Sequence, residues 1–259
     1  MEKAVNINSI VPVRASANDR SEMVTQLLFG ELVEIQEYGK KWSFIKTIFD
    51  NYEGWIDTKQ LSIIDEKEAQ RLFASESFYT KELITPVYDL ETKQELQLLF
   101  GSHLIGYSNG KLSFMNRDFI IRESPISLKI NKSREAILNN AKKFLGAPYL
   151  WGGKMPFGID CSGFSQVIFK VCGINIPRDA SQQAQLGEMV DFVGDAKPGD
   201  LAFFENQNGQ VIHVGIILNQ EKIIHASGSV RIDSFDHNGI YNVGLNEYTH
   251  KLRFIKSFL

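Results

Sequence analysis

The first 130 residues consist of short apolar or alternating segments separated by polar and turn-forming residues. Apolar and polar side chains alternate over 42–46, a polar break follows at Asp50 and Asn51, and a strand-like segment resumes over 52–56. Two such segments about a short polar break predict a β-hairpin. We therefore expect a small β-barrel here. The charged segment 65–72 is compatible with a helix and is expected to act as a connector.

A short repeat occurs in this half of the chain. Residues 26–30 read Gln-Leu-Leu-Phe-Gly, the same five residues recur at 97–101, and each copy is followed by an apolar, strand-like segment. The matching context predicts two copies of one small β unit. We expect a first domain over residues 1–63, a connector helix over 64–75 and a second, more degenerate domain over 76–130.

From about residue 131 the spacing of apolar residues becomes helical. Ser133 is a suitable N-cap for a helix that ends near Gly146, and Asp160 is a suitable N-cap for a second helix that ends near Gly173. Strand-like segments follow at 201–204, 211–218, 222–226 and 252–258. Helices followed by an antiparallel sheet predict an α+β domain over residues 131–259.

Charge and hydropathy narrow the classes of function. The chain has 28 Lys and Arg against 31 Asp and Glu, a formal net charge of −3, so nucleic acid is not an expected partner. No segment has the roughly 20 apolar residues of a membrane span, and the first residues lack the apolar core of a secretory signal. We expect a monomer without membrane contact in the cytoplasm, or at the periplasm or cell surface if a leader has been removed.

The two cysteines are too few for a disulfide framework, so each needs its own explanation. With Asp160 as N-cap, Cys161 lies in the first turn of a helix, where free N–H groups and the helix dipole stabilise an anion. Such a position favours the thiolate that a cysteine nucleophile needs. A small buried side chain is the alternative for Cys161, and it is the expected role of Cys172.

Two histidines strengthen the catalytic interpretation of Cys161. If 211–218 and 222–226 form a hairpin that turns near Asn219, His213 and His225 become cross-strand neighbours. His213 then serves as the general base for the thiol, and His225 fixes its orientation and tautomer. The alternatives are a hydrogen-bonded core pair and a metal site formed by Cys161 and both histidines. Neither CxxC nor HxxxH spacing is present and no cofactor motif occurs, so no metal and no cofactor is expected.

Several short motifs in this half stand in the order and spacing of a known family. They are Tyr149-Leu-Trp-Gly-Gly, Asp160-Cys-Ser-Gly, Pro177-Arg-Asp, Pro198-Gly-Asp-Leu, His213-Val-Gly-Ile and Ile224-His-Ala-Ser. The segment 132–259 therefore resembles the NlpC-type cell-wall cysteine peptidases. The resemblance implies a papain-like core with Cys161 as nucleophile, His213 as base and His225 as third member. It also implies hydrolysis of murein stem peptides, usually between γ-D-glutamate and a diamino acid.

The amino-terminal half resembles the bacterial SH3-like domains of one branch of this family, the γ-D-glutamyl-L-diamino-acid endopeptidases. In that branch, which acts in murein peptide recycling, the first SH3-like domain closes one end of the cleft and selects peptides with a free N-terminal L-alanine. The resemblance implies that Tyr52 and Glu22 contribute to this wall. Asp179 is a further expected partner of the cationic amine, because burying that charge requires a carboxylate. Ala180 stands where relatives often have a serine.

Three more residues have expected roles beside the nucleophile. Ser162 and the backbone near Asp160 are placed to bind the α-carboxylate of D-glutamate at the helix N-terminus. The Tyr149 hydroxyl and the Cys161 N–H are expected to stabilise the oxyanion. The fold expected from all of this is α+β, a papain-like cysteine peptidase domain preceded by two small SH3-like β-barrels.

Three other functions compete with this reading. A non-catalytic cell-wall binding protein is possible because SH3-like domains often have that role, but the intact Cys161, His213 and His225 argue against it. The others are an amidase that acts on intact cell wall and a lipid acyltransferase. The absence of a secretion signal argues against the amidase, and the absence of a basic amphipathic helix argues against the lipid acyltransferase. His103, His237 and His250 have no predicted partner and are expected in loops or at the surface.

Overall fold

The computed structural model describes residues 2–121, 126–127 and 132–259, with only the backbone described for 126–127. The chain forms two compact units. The first contains the described part of 1–130 together with Gly152–Met155, and the second contains 132–151 and 156–259. The predicted boundary between residues 130 and 131 lies outside the described residues. Within the described ranges, no helix is both long and apolar enough to cross a membrane.

The first unit begins with a seven-stranded antiparallel sheet. Its strands are β1 (Lys3–Val5), β2 (Ile10–Arg14), β3 (Met23–Leu28), β4 (Leu32–Glu37), β5 (Trp42–Thr47), β6 (Glu53–Asp57) and β7 (Ser62–Ile64). They are ordered β3-β2-β6-β5-β4-β1-β7. The predicted hairpin is present as β5 and β6, and the alternating residues of β5 alternate in burial, as a sheet with one covered face requires.

A helix and a second sheet complete this part of the chain. Helix α1 (Glu66–Ala74) begins at the N-cap Asp65, whose side chain accepts the N–H of Glu68. The following strands are β8 (Phe78–Tyr79), β9 (Ile84–Asp89), β10 (Gln94–Leu99), β11 (Tyr107–Ser108), β12 (Lys111–Phe114), β13 (Arg117–Ile121) and β14 (Ile126–Ser127). Five of them are ordered β10-β9-β13-β12-β11. A core that includes Phe29, Leu72 and Phe119 joins the first sheet, the helix and the second sheet.

The repeated pentapeptide forms the same turn twice. It covers the end of β3 and of β10 and the turn that follows each strand, and the glycines of the two turns, Gly30 and Gly101, have a left-handed backbone, with φ of 77° and 80°. At Gly30 the absence of a side chain matters for a second reason, because a Cβ atom there would overlap the backbone carbonyl of His103. The N–H of His103 in turn donates to the carbonyl of Phe29 at 2.8 Å. Glycine therefore allows both the turn and the close approach of the two sheets.

The segment Gly152–Met155 belongs to the first unit although it comes later in the chain. The backbone N–H of Lys154 donates to the side-chain oxygen of Gln26 at 2.8 Å. Its ammonium lies 3.3 Å from a carboxylate oxygen of Glu31, and both side chains are buried. A second oxygen of Glu31 accepts the N–H of Leu28 at 2.9 Å. The segment is thus held by a buried, hydrogen-bonded ion pair.

The second unit has helices first and a sheet afterwards, as predicted. The strand β15 (Lys154–Met155) lies in the segment that belongs to the first unit. The elements of the second unit are α2 (Arg134–Lys143), β16 (Gly158–Ile159), α3 (Cys161–Val171), α4 (Ala180–Gln183), β17 (Glu188–Val190), β18 (Leu201–Glu205), β19 (Val211–Asn219), β20 (Lys222–Ser227), β21 (Ser229–Asp236), β22 (Gly239–Asn242) and β23 (Glu247–Ser257). The sheet order is β17-β23-β18-β19-β20-β21-β22, and β22 also pairs with β23. This last pairing closes the sheet into a barrel.

The two faces of this sheet have different environments. One face forms a core that includes Ala202, Phe204, Ile217 and Ile255. On the other side α3, a helix buried along its whole length, packs against β19 and β20. Because α3 is covered on all sides, its first residue is held in a fixed position relative to the middle strands of the barrel.

Candidate active site

The catalytic helix begins where the sequence predicts. Asp160 is the N-cap of α3, and its side chain accepts the N–H of Gly163 at 2.6 Å. Cys161 is therefore the first helical residue, buried with only 6% of its surface exposed. The backbone N–H of Val214 donates to its sulfur. Since Val214 follows His213 on β19, the thiol lies beside the strand that carries the predicted base.

A buried arginine holds this helix start in place. Arg178 donates to both carboxylate oxygens of Asp160, at 3.0 and 2.6 Å, and to the hydroxyl of Ser162 at 2.8 Å. The arginine side chain is 1% exposed. The hydroxyl of Ser162 also lies 3.4 Å from Asp160. The structure therefore uses Asp160 and Ser162 in an internal network with Arg178, a residue to which the sequence analysis gave no role.

The expected stabilisation of the Cys161 thiolate is wrong for the unliganded protein. Burial, followed by the nearby Asp160 carboxylate, raises the pKa of the Cys161 thiol to about 12. The N–H groups of Val214 and Ser162 and the charge of Arg178 lower that pKa, but they do not outweigh burial. The helix terminus thus reduces the cost of the thiolate without making it the resting state. Cys161 rests as a thiol and needs a neutral base.

His213 and His225 meet as the sequence predicts. β19 and β20 form the expected hairpin, with Gly215 opposite His225 and a turn after Asn219. His213 lies two residues from Gly215 on the same face, and its Nε2 is 2.9 Å from Nδ1 of His225. Both rings are buried. Burial first, and then the charges of His250 and His225, hold the pKa of His213 well below its usual value, so this ring is a neutral base at neutral pH.

The hydrogen-bonded chain continues beyond the predicted pair. Nε2 of His225 lies 2.9 Å from Oδ2 of Asp233, on β21. Arg231 donates to the same carboxylate through Nη2 at 2.8 Å, and its Nε lies 2.7 Å from Oδ2 in an ion pair. Burial opposes ionisation of Asp233, but the hydrogen bonds from His225 and Arg231 outweigh it and lower the pKa of the carboxyl. Asp233 is therefore an anion and a pure hydrogen-bond acceptor.

His250 is not the isolated loop residue that the sequence analysis expected. It lies on β23, and its ring centroid is 4.2 Å from that of His213 and 5.5 Å from that of His225. Burial, followed by the charge of His225, lowers the pKa of His250 to about 4. His237 is exposed in a turn, as expected, whereas the partly buried ring of His103 stacks on Tyr79. Cys172 is in the core, as predicted.

Three of the histidines form a group that could hold a metal ion. One ring nitrogen each of His213, His225 and His250 lie within 4.8 Å of one another. This set differs from the metal alternative considered above, which used Cys161. Both ring nitrogens of His225 are already hydrogen-bonded, to His213 and Asp233. A metal bound through a nitrogen of His225 would have to break one of these bonds, so the arrangement favours a hydrogen-bonded chain of side chains.

Tyr149 lies close to the nucleophile. It is half-buried, and its backbone N–H donates to the carbonyl of Gly228 at 3.0 Å. Burial, and then the charges of Cys161 and Asp160, raise the pKa of Tyr149 to about 12. The phenol therefore keeps its proton at neutral pH and remains a hydrogen-bond donor. This is the state that the predicted oxyanion role requires.

The predicted substrate-binding residues lie in both units. Asp179 is half-buried at the N-cap of α4, and its backbone N–H donates to the side chain of Gln182 at 3.2 Å. In the first unit, Glu22 is exposed just before β3, and its carbonyl accepts the N–H of Ala15. Tyr52 is half-buried just before β6, and its N–H donates to the Thr47 hydroxyl at 2.8 Å.

Comparison with known proteins supports both halves of the sequence analysis. Residues 146–248 match the NlpC/P60 family, and residues 13–61 match the bacterial dipeptidyl-peptidase Sh3 domain. A γ-D-glutamyl-L-lysine dipeptidyl-peptidase of Bacillus subtilis is 33% identical over 220 residues, which cover 78% of this chain and 71% of the relative. A protein of the same name from Bacillus cereus is 28% identical over 242 residues, covering 82% and 69%.

The fold agrees with a solved structure. The crystal structure of an NlpC/P60 family protein from Bacillus cereus superposes with a TM-score of 0.84 at 22% identity and covers 99% of both chains. The predicted peptidase fold with an SH3-like domain at its amino-terminal side is thus confirmed. On the sequence identity and coverage together, this chain belongs to the NlpC/P60 family of cysteine peptidases.

Proposed function

We propose that this protein hydrolyses the bond between γ-D-glutamate and the diamino acid of murein stem peptides that carry a free N-terminal L-alanine. The observation that carries the proposal is the hydrogen-bonded pair of His213 and His225 beside Cys161, whose sulfur accepts the N–H of Val214, in a chain with a dipeptidyl-peptidase Sh3 match. The names of the two Bacillus relatives support the choice of bond.

The protonation states suggest how the first half of the reaction proceeds. Because Cys161 rests as a thiol and His213 is neutral, the thiol proton passes to His213 as the sulfur attacks the carbonyl carbon of D-glutamate's side chain. A C–S bond forms and the carbonyl oxygen becomes an oxyanion. The Tyr149 hydroxyl and the Cys161 N–H are the proposed donors to that oxygen, and losing one such donor costs about 2.7–4 kcal/mol of barrier.

The second half returns the enzyme to its resting state. The C–N bond breaks, and His213 gives its proton to the amine of the departing diamino acid. Water then attacks the thioester carbonyl and gives one proton to His213, the C–S bond breaks, and the proton returns to the sulfur of Cys161. The products are L-Ala-γ-D-Glu and a peptide or amino acid with a free amine. No oxidant or other co-reactant is needed.

The free amine is the finer part of the proposal. A protonated α-amine needs a carboxylate when it is removed from water. Asp179, Glu22 and Tyr52 are the proposed contacts, and the last two lie within the 13–61 segment that matches the dipeptidyl-peptidase Sh3 domain. We propose that Ser162 and the backbone near Asp160 bind the D-glutamate α-carboxylate at the helix terminus, while the side chains of both residues bond to Arg178.

We further infer that the second sheet of the first unit is a degenerate copy of the first SH3-like domain. The order β3-β2-β6-β5-β4 in the first sheet has the same topology as β10-β9-β13-β12-β11 in the second. The repeated pentapeptide occupies the end of β3 in one sheet and of β10 in the other. Identical strand order with the same glycine turn is what a duplicated unit produces.

A single assay with three substrates tests the activity. The purified protein is incubated with L-Ala-γ-D-Glu-L-Lys, with the same peptide acetylated on its amine, and with intact sacculi. We expect cleavage of the free peptide alone, and loss of cleavage in Cys161→Ala with an unchanged circular dichroism spectrum. Cleavage of sacculi instead identifies a cell-wall amidase or hydrolase, and binding without turnover identifies a cell-wall binding protein.

The amine contacts need their own variants. Glu22→Gln and Tyr52→Phe are expected to narrow the ratio of kcat/KM between the free and the acetylated peptide, because each weakens recognition of the cation. Glu37→Gln, which removes an exposed carboxylate from the same unit, is the matched control and should leave the ratio unchanged. Equal turnover of both peptides by the unmodified protein contradicts the amine proposal.

A further inference from the structure

The hydrogen bonds around His225 determine which nitrogens of the neighbouring imidazole rings carry hydrogen. The Asp233 carboxylate can only accept, so Nε2 of His225 must carry the hydrogen of their 2.9 Å bond. In a neutral imidazole the other nitrogen is then a lone pair. Nδ1 of His225 is therefore the acceptor in its bond with His213.

The same reasoning determines the tautomer of His213. Its Nε2 must carry the hydrogen that is donated to His225 at 2.9 Å. The lone pair of the neutral ring is then on Nδ1, the nitrogen left for the thiol. A ring with hydrogen on Nδ1 instead has no site to receive the thiol proton from Cys161.

We propose that Asp233 is a positioning residue of the reaction, which sets the tautomers of His225 and, through it, of His213. The proposal rests on the proposed function only for the choice of substrate, because the tautomers follow from the geometry. Arg231 assists, since its hydrogen bond through Nη2 and its adjacent positive charge keep the Asp233 carboxylate ionised and oriented. In the part of the chain that the structure describes, Asp233 has no hydrogen bond to Cys161 or to Val214, the strand residue beside the thiol. Its effect on the thiol therefore passes through the rings of His225 and His213.

The fold explains how Asp233 reaches its position. β20 and β21 form a tight hairpin in which His225 is opposite Arg231 and Ile223 is opposite Asp233. Asp233 therefore lies diagonally across from His225 on the same face of the sheet. Phe235, two residues further on, belongs to the barrel core, which makes this the inward face. A buried carboxylate on a core face requires partners, and Arg231 provides a charge while the His225 ring provides a hydrogen bond.

The isosteric variant Asp233→Asn tests the proposal. If the new side-chain amide donates its NH₂ group to Nε2 of His225, both tautomers are reversed. If its oxygen accepts from Nε2 instead, its NH₂ group faces Arg231. We expect kcat with L-Ala-γ-D-Glu-L-Lys to fall by about 10–100-fold, the range found for partners that orient an imidazole, while KM changes less than twofold. Asp236→Asn, on the same strand but bonded to Tyr248, is the matched control and should retain full activity.

Two measurements distinguish a tautomer effect from a merely structural one. Long-range ¹H–¹⁵N NMR spectra of the histidine rings at pH 7 should show His213 and His225 with hydrogen on Nε2 in the unmodified protein. In Asp233→Asn the hydrogen of His225 should move to Nδ1 or be shared. The rate of Cys161 alkylation by iodoacetamide should fall by the same factor as kcat, because alkylation needs the same proton transfer but no peptide.

Alkylation also separates this proposal from the proposed function. If the unmodified protein leaves the peptide intact but its alkylation depends on Asp233, the substrate is wrong and the positioning role stands. If the peptide is cleaved and Asp233→Asn retains kcat and alkylation within twofold, the positioning role is refuted and the function stands. A thermal unfolding curve establishes that the variant is folded. If Asp233→Asn is unfolded, Arg231→Met serves as the second variant, because it keeps Asp233 in place. We expect Arg231→Met to shift the acidic limb of the pH profile of kcat to higher pH, and an unchanged limb refutes the proposal.

In interpreting that pH profile, several charged or titratable groups must be considered together. Asp233 faces His225, Arg231 and, at longer range, His250. His213 faces His225 and His250 and lies on the strand beside Cys161. A shift is therefore assigned to Asp233 only if it is absent from the control Asp236→Asn.

Discussion

Replacing Arg178 with methionine should destabilise the peptidase unit strongly. The arginine is 1% exposed, and its hydrogen bonds include two to the carboxylate of Asp160 and one to the Ser162 hydroxyl. Methionine fills a similar volume, but it removes the guanidinium cation and leaves the Asp160 carboxylate buried without that charge. Breaking one partner out of a buried ion pair typically costs about 3–5 kcal/mol. At about 2–4 °C per kcal/mol, the melting temperature should fall by roughly 6–20 °C.

The same substitution should lower the reactivity of Cys161. The charge of Arg178 is among the groups that lower the pKa of Cys161, so its removal raises that pKa further. Alkylation of Cys161 at pH 7, measured well below the new melting temperature, should therefore become slower. Thermal and urea unfolding followed by circular dichroism measure the stability effect independently of catalysis.

An exposed ion pair provides the control for Arg178. Lys251 lies 2.7 Å from Glu205 but has 75% of its side chain in solvent, so Lys251→Met should change stability by less than about 1 kcal/mol. The double variant Asp160→Asn with Arg178→Met removes both charges and should recover part of the loss. If Arg178→Met melts within 2 °C of Lys251→Met, the argument that burial makes the pair essential is refuted.

Three further predictions concern other parts of the molecule. In Gly215→Ala the new Cβ would lie 2.7 Å from the Ile223 Cδ1 and 3.0 Å from the His225 Cβ. We expect the variant to lose about 1–3 kcal/mol of stability and, because the His225 ring is displaced, at least tenfold in kcat. The pKa of His250 is about 4 in the folded protein and 6.5 in the unfolded chain, so the unfolded chain binds the proton first as the pH falls. The free energy of unfolding should therefore decrease between pH 6.5 and pH 4, by up to about 1.4 kcal/mol per pH unit. Lys154→Met should destabilise the first unit by about 3–5 kcal/mol, because Glu31 loses its buried ammonium partner.

Each of these has a control and a contradicting result. Gly194→Ala, at an exposed glycine where an added Cβ would have nothing within 4 Å, measures the effect of adding a methyl group away from the histidines, and equal kcat values for the two alanine variants contradict the steric argument. Urea titrations at pH 7, 6 and 5 measure the free energy of unfolding at each pH. Its decrease with falling pH should be smaller in His250→Gln and unchanged in the exposed His237→Gln. For Lys154, the double variant with Glu31→Gln should be more stable than Lys154→Met alone, and a less stable double variant counts against the pair.

The parts of the site that sequence predicts well are those set by local rules. A capping aspartate followed by an apolar helix predicts where α3 begins and hence the position of Cys161. A short turn between two apolar runs predicts the β19–β20 hairpin and the meeting of His213 with His225. Both features depend on residues that are close in the chain, so no knowledge of the tertiary fold is needed.

The parts that sequence does not predict depend on closure and burial. His250 joins the other histidines because β23 pairs with both β18 and β22 and carries it back across the barrel, and no local pattern encodes that return. Asp233 had a signal in the tight β20–β21 hairpin, which places it diagonally opposite His225. The direction of the Cys161 pKa shift could not be predicted, because the depth of burial outweighs the helix terminus and is known only from the packed structure.

The four-residue segment Gly152–Met155 limits how this protein can be cut or recombined. A fragment that stops at the end of the second sheet retains the Glu31 carboxylate but lacks the lysine that neutralises it. A fragment that begins with α2 carries that lysine without its acid. Exchange of the front half between relatives, in evolution or in protein engineering, therefore has to transfer this short insert as well, so inheritance of the two halves is coupled through residues that a linear domain map assigns to the enzyme.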